Sequence, residues 1–320
     1  MSYLKECDIV ISNFAEVFEM PIEITMPKKL TLLTTQSLIS RIATHDLQPL
    51  DKNMTFDLTP TEWIDPSGMS MLFNLGMWLT EFQDTNISFR LNRAGTYGHR
   101  SAMAYLEDSG FFEVFFEEDY IINKNHKPRN TTLPIKAINV SSSIHWNEQT
   151  LRQWLQKCTG RYVEFSSIKV GVDEIFNNIR DHSHKNIGCV FGQYTPRNNR
   201  LVISLSDFGI GIPTAMRKKY GDFPDIDLVK MAFEEGVSTE SSPGNRGAGL
   251  PNIVRCLTNN GVGTVRLVTN HAKIRIENGK ITSALEIKDY YPGTFYEVEV
   301  NIDNPALFEG EEEEEFDWLQ

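Results

Sequence analysis

The segment LVISLSDFGIGIP, in the second half of the chain, joins an apolar run to an aspartate and two closely spaced glycines. The run at 201–206 predicts a buried β-strand, which ends at Asp207. Gly209 and Gly211 permit positive φ angles and let the backbone approach a ligand closely. A carboxylate at a strand end can accept a hydrogen bond from an amine. On its own, the segment is also consistent with a turn.

A second segment, VDEIFNNIRDHSH, lies within an amphipathic helix predicted over residues 166–182. Glu174 and Asn178 are four positions apart and therefore share one helix face, which Asp181 and His182 continue. A carboxylate beside an amide oxygen can hold a hard cation and a water molecule. A solvent-facing polar surface is the alternative interpretation.

A third segment, PGNRGAGLPNIV, places Gly244, Gly247 and Gly249 at the start of a predicted apolar helix. The N–H groups and the dipole of a helix N-terminus favour anions such as phosphates. The chain contains no GxxxxGK[ST] P-loop. GNRGAG follows a long loop instead of a strand, which excludes the dinucleotide-binding fingerprint.

The order and spacing of the three segments resemble the GHKL superfamily of ATPases, which includes gyrase, heat-shock chaperones, histidine kinases and MutL. The resemblance covers residues 144–302. It implies a two-layer α/β sandwich, in which helices back a mixed sheet and the nucleotide lies between sheet, helices and lid. Within the superfamily, EIFNNIRDH is most similar to the anti-sigma-factor serine kinases.

The resemblance also implies a role for each matching residue. Glu174 matches the general base, Asn178 the Mg²⁺ ligand and Asp207 the residue that binds adenine. The other matches shape the ATP pocket and the phosphate lid: Gly209, Gly211, Gly244, Gly247, Gly249, Leu250, and Thr294 of the late GTF segment. Residues 213–246 would form the lid. Its basic residues are either phosphate partners or a surface cluster: Arg217, Lys218, Lys219 and Arg246.

The first half of the chain alternates predicted strands (22–26, 54–58, 87–91) with predicted helices (30–42, 69–82, 101–109), which indicates a small α/β layer. WIDPSGMSMLF resembles the strand-to-helix loop of STAS domains, the fold of anti-sigma-factor antagonists. Pro66 occupies the place of that family's phosphorylated serine, and Ser67 follows it. We therefore expect a docking scaffold and no phosphorylation switch; a generic α/β layer is the alternative.

Composition sets the domain count and excludes some partners. At 320 residues about two domains are expected: a STAS-like domain (1–121), a linker (122–143), a GHKL domain (144–302) and an acidic tail (303–320). The net charge of −12 argues against a nucleic-acid binder. Scattered cysteines and the absence of a long apolar run predict a cytoplasmic protein that does not enter membranes. The tail is either a solvated segment or, because Phe316, Trp318 and Leu319 follow the acids, a docking segment.

These features predict a cytosolic regulatory protein that binds ATP and Mg²⁺ and hydrolyses ATP or phosphorylates Ser/Thr on an unidentified protein partner, with a homodimer as an assembly to test. The alternative is a non-catalytic switch or docking module that uses ATP as a conformational ligand. A motor-type ATPase is less favoured because no transmitting domain is expected after 302. A histidine kinase is less favoured because ATHDLQPL, around His45, lacks the second long helix of an acceptor hairpin.

Overall fold

The computed structural model describes residues 9–12, 21–44, 46–92, 101–115, 129–182, 187–207, 209–234, 236–237 and 249–309. The chain divides into two compact units, Met1–Arg129 and Asn130–Gln320. Each unit combines helices with a β-sheet, and both parallel and antiparallel strand pairs occur. The predicted α/β (α+β) class is therefore confirmed.

The first unit is built around a four-stranded sheet of order β1-β6-β4-β2. Strands β2, β4 and β6 are parallel, and β1 is antiparallel at the edge. Its elements are β1 (Ile9–Ser12), β2 (Ile22–Thr25), β3 (Lys29–Leu30), α1 (Leu32–Gln36), α2 (Ile39–Ile42), β4 (Asn53–Asp57), β5 (Trp63–Ile64), α3 (Pro66–Met77), β6 (Asn86–Leu91), α4 (Ala102–Asp108) and α5 (Phe111–Phe115).

Helix α3 is the central helix of this unit, and every residue from Ser67 to Gly76 is buried. It begins at Pro66, three residues before the predicted start at 69, because Asp65 accepts a hydrogen bond from the N–H of Gly68 at 2.7 Å and Pro66 suits the first helical position. A π-helical turn, Trp78–Phe82, continues it. The helix predicted over 30–42 is instead two short helices, because Thr31 caps α1 and the chain turns after it.

The second unit has a five-stranded sheet of order β10-β11-β9-β8-β7, in which every neighbouring pair is antiparallel. Its elements are β7 (Thr132–Asn139), α6 (Ser143–Trp146), α7 (Arg152–Thr159), α8 (Ser166–His182), β8 (Ile187–Thr195), β9 (Arg200–Asp207), α9 (Ile212–Tyr220), α10 (Asp225–Ala232), α11 (Gly249–Thr258), β10 (Gly263–Glu277) and β11 (Lys280–Asn301).

One face of this sheet and the helices share a continuous apolar core. Helix α8 packs closely against α11, and both contribute buried side chains that meet those of the sheet, among them Val172, Phe176, Leu205, Leu257 and Val265. Burial of such side chains is the main favourable contribution to folding. The core therefore fixes the positions of α8 and α11, which carry two of the three predicted site segments.

The interval predicted as a linker, 122–143, differs in the structure. Residues Thr132–Asn139 form β7, an edge strand of the second sheet, and α6 begins at Ser143. Pro134 lies at an irregularity of the β7–β8 register, where an edge strand tolerates a missing N–H. The second unit therefore begins near Asn130, earlier than the predicted 144.

The predicted acidic tail, 303–320, also differs at its start. Leu307 is fully buried, and the ring of Phe308 packs edge-on against Phe165 at 5.8 Å. These apolar side chains attach residues up to 309 to the second unit, and residues 310–320 lie outside the described residues.

Long apolar helices of the kind that cross membranes do not occur in the described parts of the chain.

Candidate functional site

The second and third predicted segments meet at one place, between α8 and the N-terminus of α11. Asn252 donates a hydrogen bond from Nδ2 to Glu174 Oε1 at 2.9 Å. A Cβ atom placed on Gly249 would lie 3.5 Å from both Glu174 Oε2 and Asn178 Oδ1. Glu174 and Asn178 therefore share one helix face, as their spacing predicts, and this face lies against the first turn of α11. Asn252 is a contact that the sequence did not reveal.

Asn178 carries an unsatisfied polar group. Its Nδ2 atom is buried and has no hydrogen-bond partner. Such groups are rare in folded proteins because burying an unpaired amide costs free energy. The side chain is thus available to a ligand held between α8 and α11.

The contacts of Glu174, Asn178 and Asn252 form a first group of candidate residues. A second group surrounds Asp207, which lies at the end of β9 and is 6% exposed. Burial raises the pKa of Asp207 to about 7, and hydrogen bonds from the N–H groups of Gly209 and Thr294 oppose that rise. The Gly209 bond to Oδ1 is 2.6 Å long. A buried carboxyl with a pKa near neutrality can accept or hold a proton at physiological pH.

Thr294, which the family resemblance places at the ATP pocket, lies in this second group. Thr294 is buried, and its Oγ1 lies 3.2 Å from Thr269 Oγ1. Gly293 has φ +83°, and a Cβ atom there would lie 2.4 Å from the carbonyl oxygen of Asp207. Only glycine fits this position, so the Gly293–Thr294 pair is built directly against Asp207.

The loop that carries Gly209 and Gly211 is held by residues that sequence reasoning missed. Asn270 donates to the carbonyl oxygen of Ile210 at 3.1 Å and accepts from the hydroxyl of Thr214 at 2.9 Å. Gly211 has φ +80°, and a Cβ atom there would lie 2.5 Å from Asn270 Nδ2. Thr269 Oγ1 accepts from the N–H of Ile212 at 3.0 Å. In the sequence these two residues are only an adjacent polar Thr-Asn pair.

The two groups border the same helix. Gly188 is the cross-strand partner of Asp207, and a Cβ atom on Gly188 would lie 2.8 Å from Ile179 Cδ1. Ile179 follows Asn178 in α8. Asp207 is therefore one strand away from the part of α8 that carries Asn178.

Residues predicted to form a lid are partly folded into the core instead. Helices α9 and α10 occupy the first part of 213–246, and their Met216, Leu228 and Val229 side chains are buried in the shared core. Arg217 pairs with Asp222 at 3.0 Å and with Asp225 at 2.5 Å. Because two carboxylates already hold its guanidinium, Arg217 is not set up to bind phosphate.

The structure describes only some of the remaining predicted site residues. Leu250 is half-buried and packs against the core, and Lys218 and Lys219 are exposed on α9. Gly244, Gly247, Arg246, His45 and the side chain of His182 lie outside the described residues.

A cavity of about 800 Å³ lies on another side of α11, between α10, α11 and the turn that joins β10 to β11. Asn252 is among its lining residues, whereas Glu174, Asn178 and Asp207 are not. The cavity is therefore separate from the two predicted groups, although it shares one residue with their surroundings.

Comparison with known proteins adds no relative to this geometry: a scan against protein-family models gives no match, and a search of the curated proteins finds none.

Proposed function

We propose that the second unit binds Mg-ATP and that the protein is a cytoplasmic regulatory ATPase or a kinase that phosphorylates Ser/Thr on a protein partner. The observation that carries the proposal is the buried, unpartnered amide of Asn178. It faces Glu174 and the first turn of α11, where phosphate groups are favoured.

The chemistry of Asp207 and Asn178 suits a nucleotide with a bound cation. Asp207 supplies a buried carboxyl that can accept a hydrogen bond from an exocyclic amine. Mg²⁺ binds few protein oxygens and keeps several waters, so one amide oxygen from Asn178 suffices. Oxygen and nitrogen of this amide exchange places when the side chain rotates by 180°. Among the described residues, no three His, Cys, Asp or Glu side chains converge as a metal site.

Glu174 is the group in this proposal that moves a proton. Its Oε1 is oriented by Asn252 at 2.9 Å, and its Oε2 faces Gly249. A carboxylate oriented in this way can take the proton from a water or hydroxyl that attacks the terminal phosphate. Bound ATP would present that phosphate, and Asn178 would hold the cation beside it.

A second candidate function is a switch that binds ATP without chemistry. The observation that favours it is the Asn252–Glu174 hydrogen bond, because Glu174 Oε1 is then engaged by a neighbouring side chain instead of an attacking water or hydroxyl. The net charge of −12 argues against nucleic acid as the partner of either candidate.

Calorimetric titration of the full chain with Mg-ATP tests the shared part of both candidates. Ligand at 100 times its Kd adds about 2.7 kcal/mol to the free energy of unfolding, which should raise Tm by roughly 5–10 °C. No heat of binding and no Tm shift at millimolar Mg-ATP would overturn both. Release or transfer of a labelled γ-phosphate then separates the enzyme from the switch.

A further inference from the structure

The 800 Å³ cavity beside α11 is lined by basic and by apolar side chains. The residues around it come from the end of α10, one face of α11 and the β10–β11 turn: Lys230, Phe233, Glu234, Gly236, Pro251, Asn252, Val254, Arg255, Asn259, Ile276, Gly279, Lys280 and Ile281. Among the described lining residues, three cations thus accompany one carboxylate, together with aromatic and aliphatic side chains. This combination suits an acidic peptide that also carries apolar side chains.

The three cations are available to such a ligand. Lys280 has no ion pair with any described residue. Arg255 interacts with groups other than carboxylates: it donates to Asn252 Oδ1 at 2.7 Å and also hydrogen-bonds the side chain of Cys256. Lys230 pairs with Asp227 at 3.3 Å, but both side chains are about half exposed. Exposed pairs of this kind contribute little free energy and exchange readily with another carboxylate.

The sequence of this same chain contains a segment of matching chemistry. Residues 309–320 hold seven acids together with Phe316, Trp318 and Leu319. Acid-rich segments of this length are attracted to cationic surfaces, and the aromatic side chains add apolar area that can be buried.

The segment begins five residues after a contact beside the cavity. Asn304 donates from Nδ2 to the carbonyl oxygen of Asn260 at 3.0 Å, and the adjacent Asn259 lines the cavity. The eleven residues after Glu309 span at most about 36 Å when extended. Along α11, the cavity extends only about 12 Å, from Pro251 to Asn259.

We propose that the C-terminal segment, residues 309–320, binds in this cavity of its own chain. Its carboxylates pair with Lys230, Arg255 and Lys280, and its aromatic side chains pack against the apolar lining residues Phe233, Val254 and Ile281. This proposal does not rest on nucleotide binding, because the cavity is lined by neither Asp207 nor Asn178.

A labelled peptide of residues 309–320 tests the proposal by fluorescence anisotropy. We expect it to bind a chain truncated after Glu309, and to bind the full chain at least 10-fold more weakly because the chain's own segment competes. Absence of binding to the truncated chain, or equal binding to both chains, would overturn the proposal. Full-chain dimers by light scattering that disappear on truncation would also overturn it, because the segment would then occupy a second copy.

Charge reversal locates the binding surface. In the truncated chain, combined Lys230→Glu, Arg255→Glu and Lys280→Glu should weaken peptide binding at least 10-fold. The matched control reverses three exposed cations outside the cavity, Lys136→Glu, Arg197→Glu and Lys288→Glu, and should change binding less than 2-fold. Equal losses in both variants would show a non-specific charge effect and reject the site. Thermal melts establish that both variants are folded.

Discussion

Each unit of the molecule has an aspartate between a strand and a helix, and the two aspartates are held in opposite ways. Asp65, after β5, accepts a hydrogen bond from Gly68 in the first turn of the helix that follows it. Asp207, at the end of β9, is bonded by Gly209 in the loop and by Thr294 from β11. The first aspartate is held by its own helix, whereas the second also depends on a residue almost ninety positions later.

The difference separates a structural role from a candidate functional one. Capping satisfies the orphan N–H groups of α3 locally, so Asp65 completes its own helix. At α9, Thr269 and Asn270 accept from Ile212 and Thr214 instead, which leaves Asp207 free of the capping task. A buried carboxyl whose pKa lies near neutrality is a candidate for ligand binding.

The largest expected effect tests the functional role proposed for the second unit, and it concerns the rate of ATP turnover. Glu174→Gln should lower ATP turnover about 100-fold or more, because it removes the proposed general base, while Kd for ATP stays within about 3-fold. Asp173→Asn is the matched control on the same helix, since Asp173 accepts instead from Asn147 at 2.7 Å. Steady-state phosphate release and calorimetry measure the two quantities. If Glu174→Gln turns over like wild type, Glu174 is not the base.

The next prediction concerns the pKa of Asp207, which burial raises, and its effect on the free energy of unfolding. Its pKa is raised to about 7 in the folded chain, so the native state binds a proton that the unfolded state lacks between pH 4 and pH 7. Its contribution to the free energy of unfolding should therefore fall as pH rises through this window and level off above it, by up to about 4 kcal/mol. Urea unfolding of wild type and Asp207→Asn at pH 5 and 7.5 isolates this contribution. Equal pH dependence in the two proteins would contradict it.

A direct comparison of the two aspartates follows. Asp207→Asn should weaken ATP binding roughly 10- to 150-fold, or about 1.5–3 kcal/mol, because an amide donor replaces one acceptor oxygen in a buried site. Asp65→Asn should leave ATP affinity unchanged, since asparagine also caps helices well. Calorimetry on both variants decides. Equal losses would mean that neither aspartate has a specific role in the site.

A smaller effect is expected at the residue that holds the glycine loop. Asn270→Ala removes hydrogen bonds to Ile210 and Thr214 and should cost about 1–2 kcal/mol of stability. It should also weaken ATP binding several-fold, because Gly209 and Gly211 lose their fixed position. Thermal melts and calorimetry on the same preparations separate the two effects. A stability loss with unchanged affinity would restrict Asn270 to a structural role.

The sequence predicts the elements that nearby residues stabilise better than those that depend on residues far along the chain. Helix α8 matches its prediction, because its apolar period and its starting serines lie within the helix itself. Helix α9 was missed, because Gly and Pro surround it and its N-terminal groups are satisfied by Thr269 and Asn270 far along the chain. The bulge of β10 at Asn270 is likewise a feature that depends on the paired strand β11 and not on local sequence. The meeting of Glu174 with Gly249 was predictable only through the family resemblance.

The smallest expected effect concerns Ser67, which follows Asp65 and Pro66 in the first unit. Its side chain is fully buried in the first turn of α3, and its Oγ has no hydrogen-bond partner. A kinase active site cannot reach a hydroxyl in that position unless α3 is displaced. Mass spectrometry after incubation with Mg-ATP should therefore find no phosphate on Ser67, and exposed Ser37 and Ser40 serve as internal comparisons. Ser67→Ala should change the free energy of unfolding by less than about 1 kcal/mol, because it removes an unpaired group and leaves no partner behind. Stoichiometric phosphate on Ser67 would mean that the first turn of α3 opens. The assignment of a purely structural role to Asp65, in contrast to Asp207, would then be wrong.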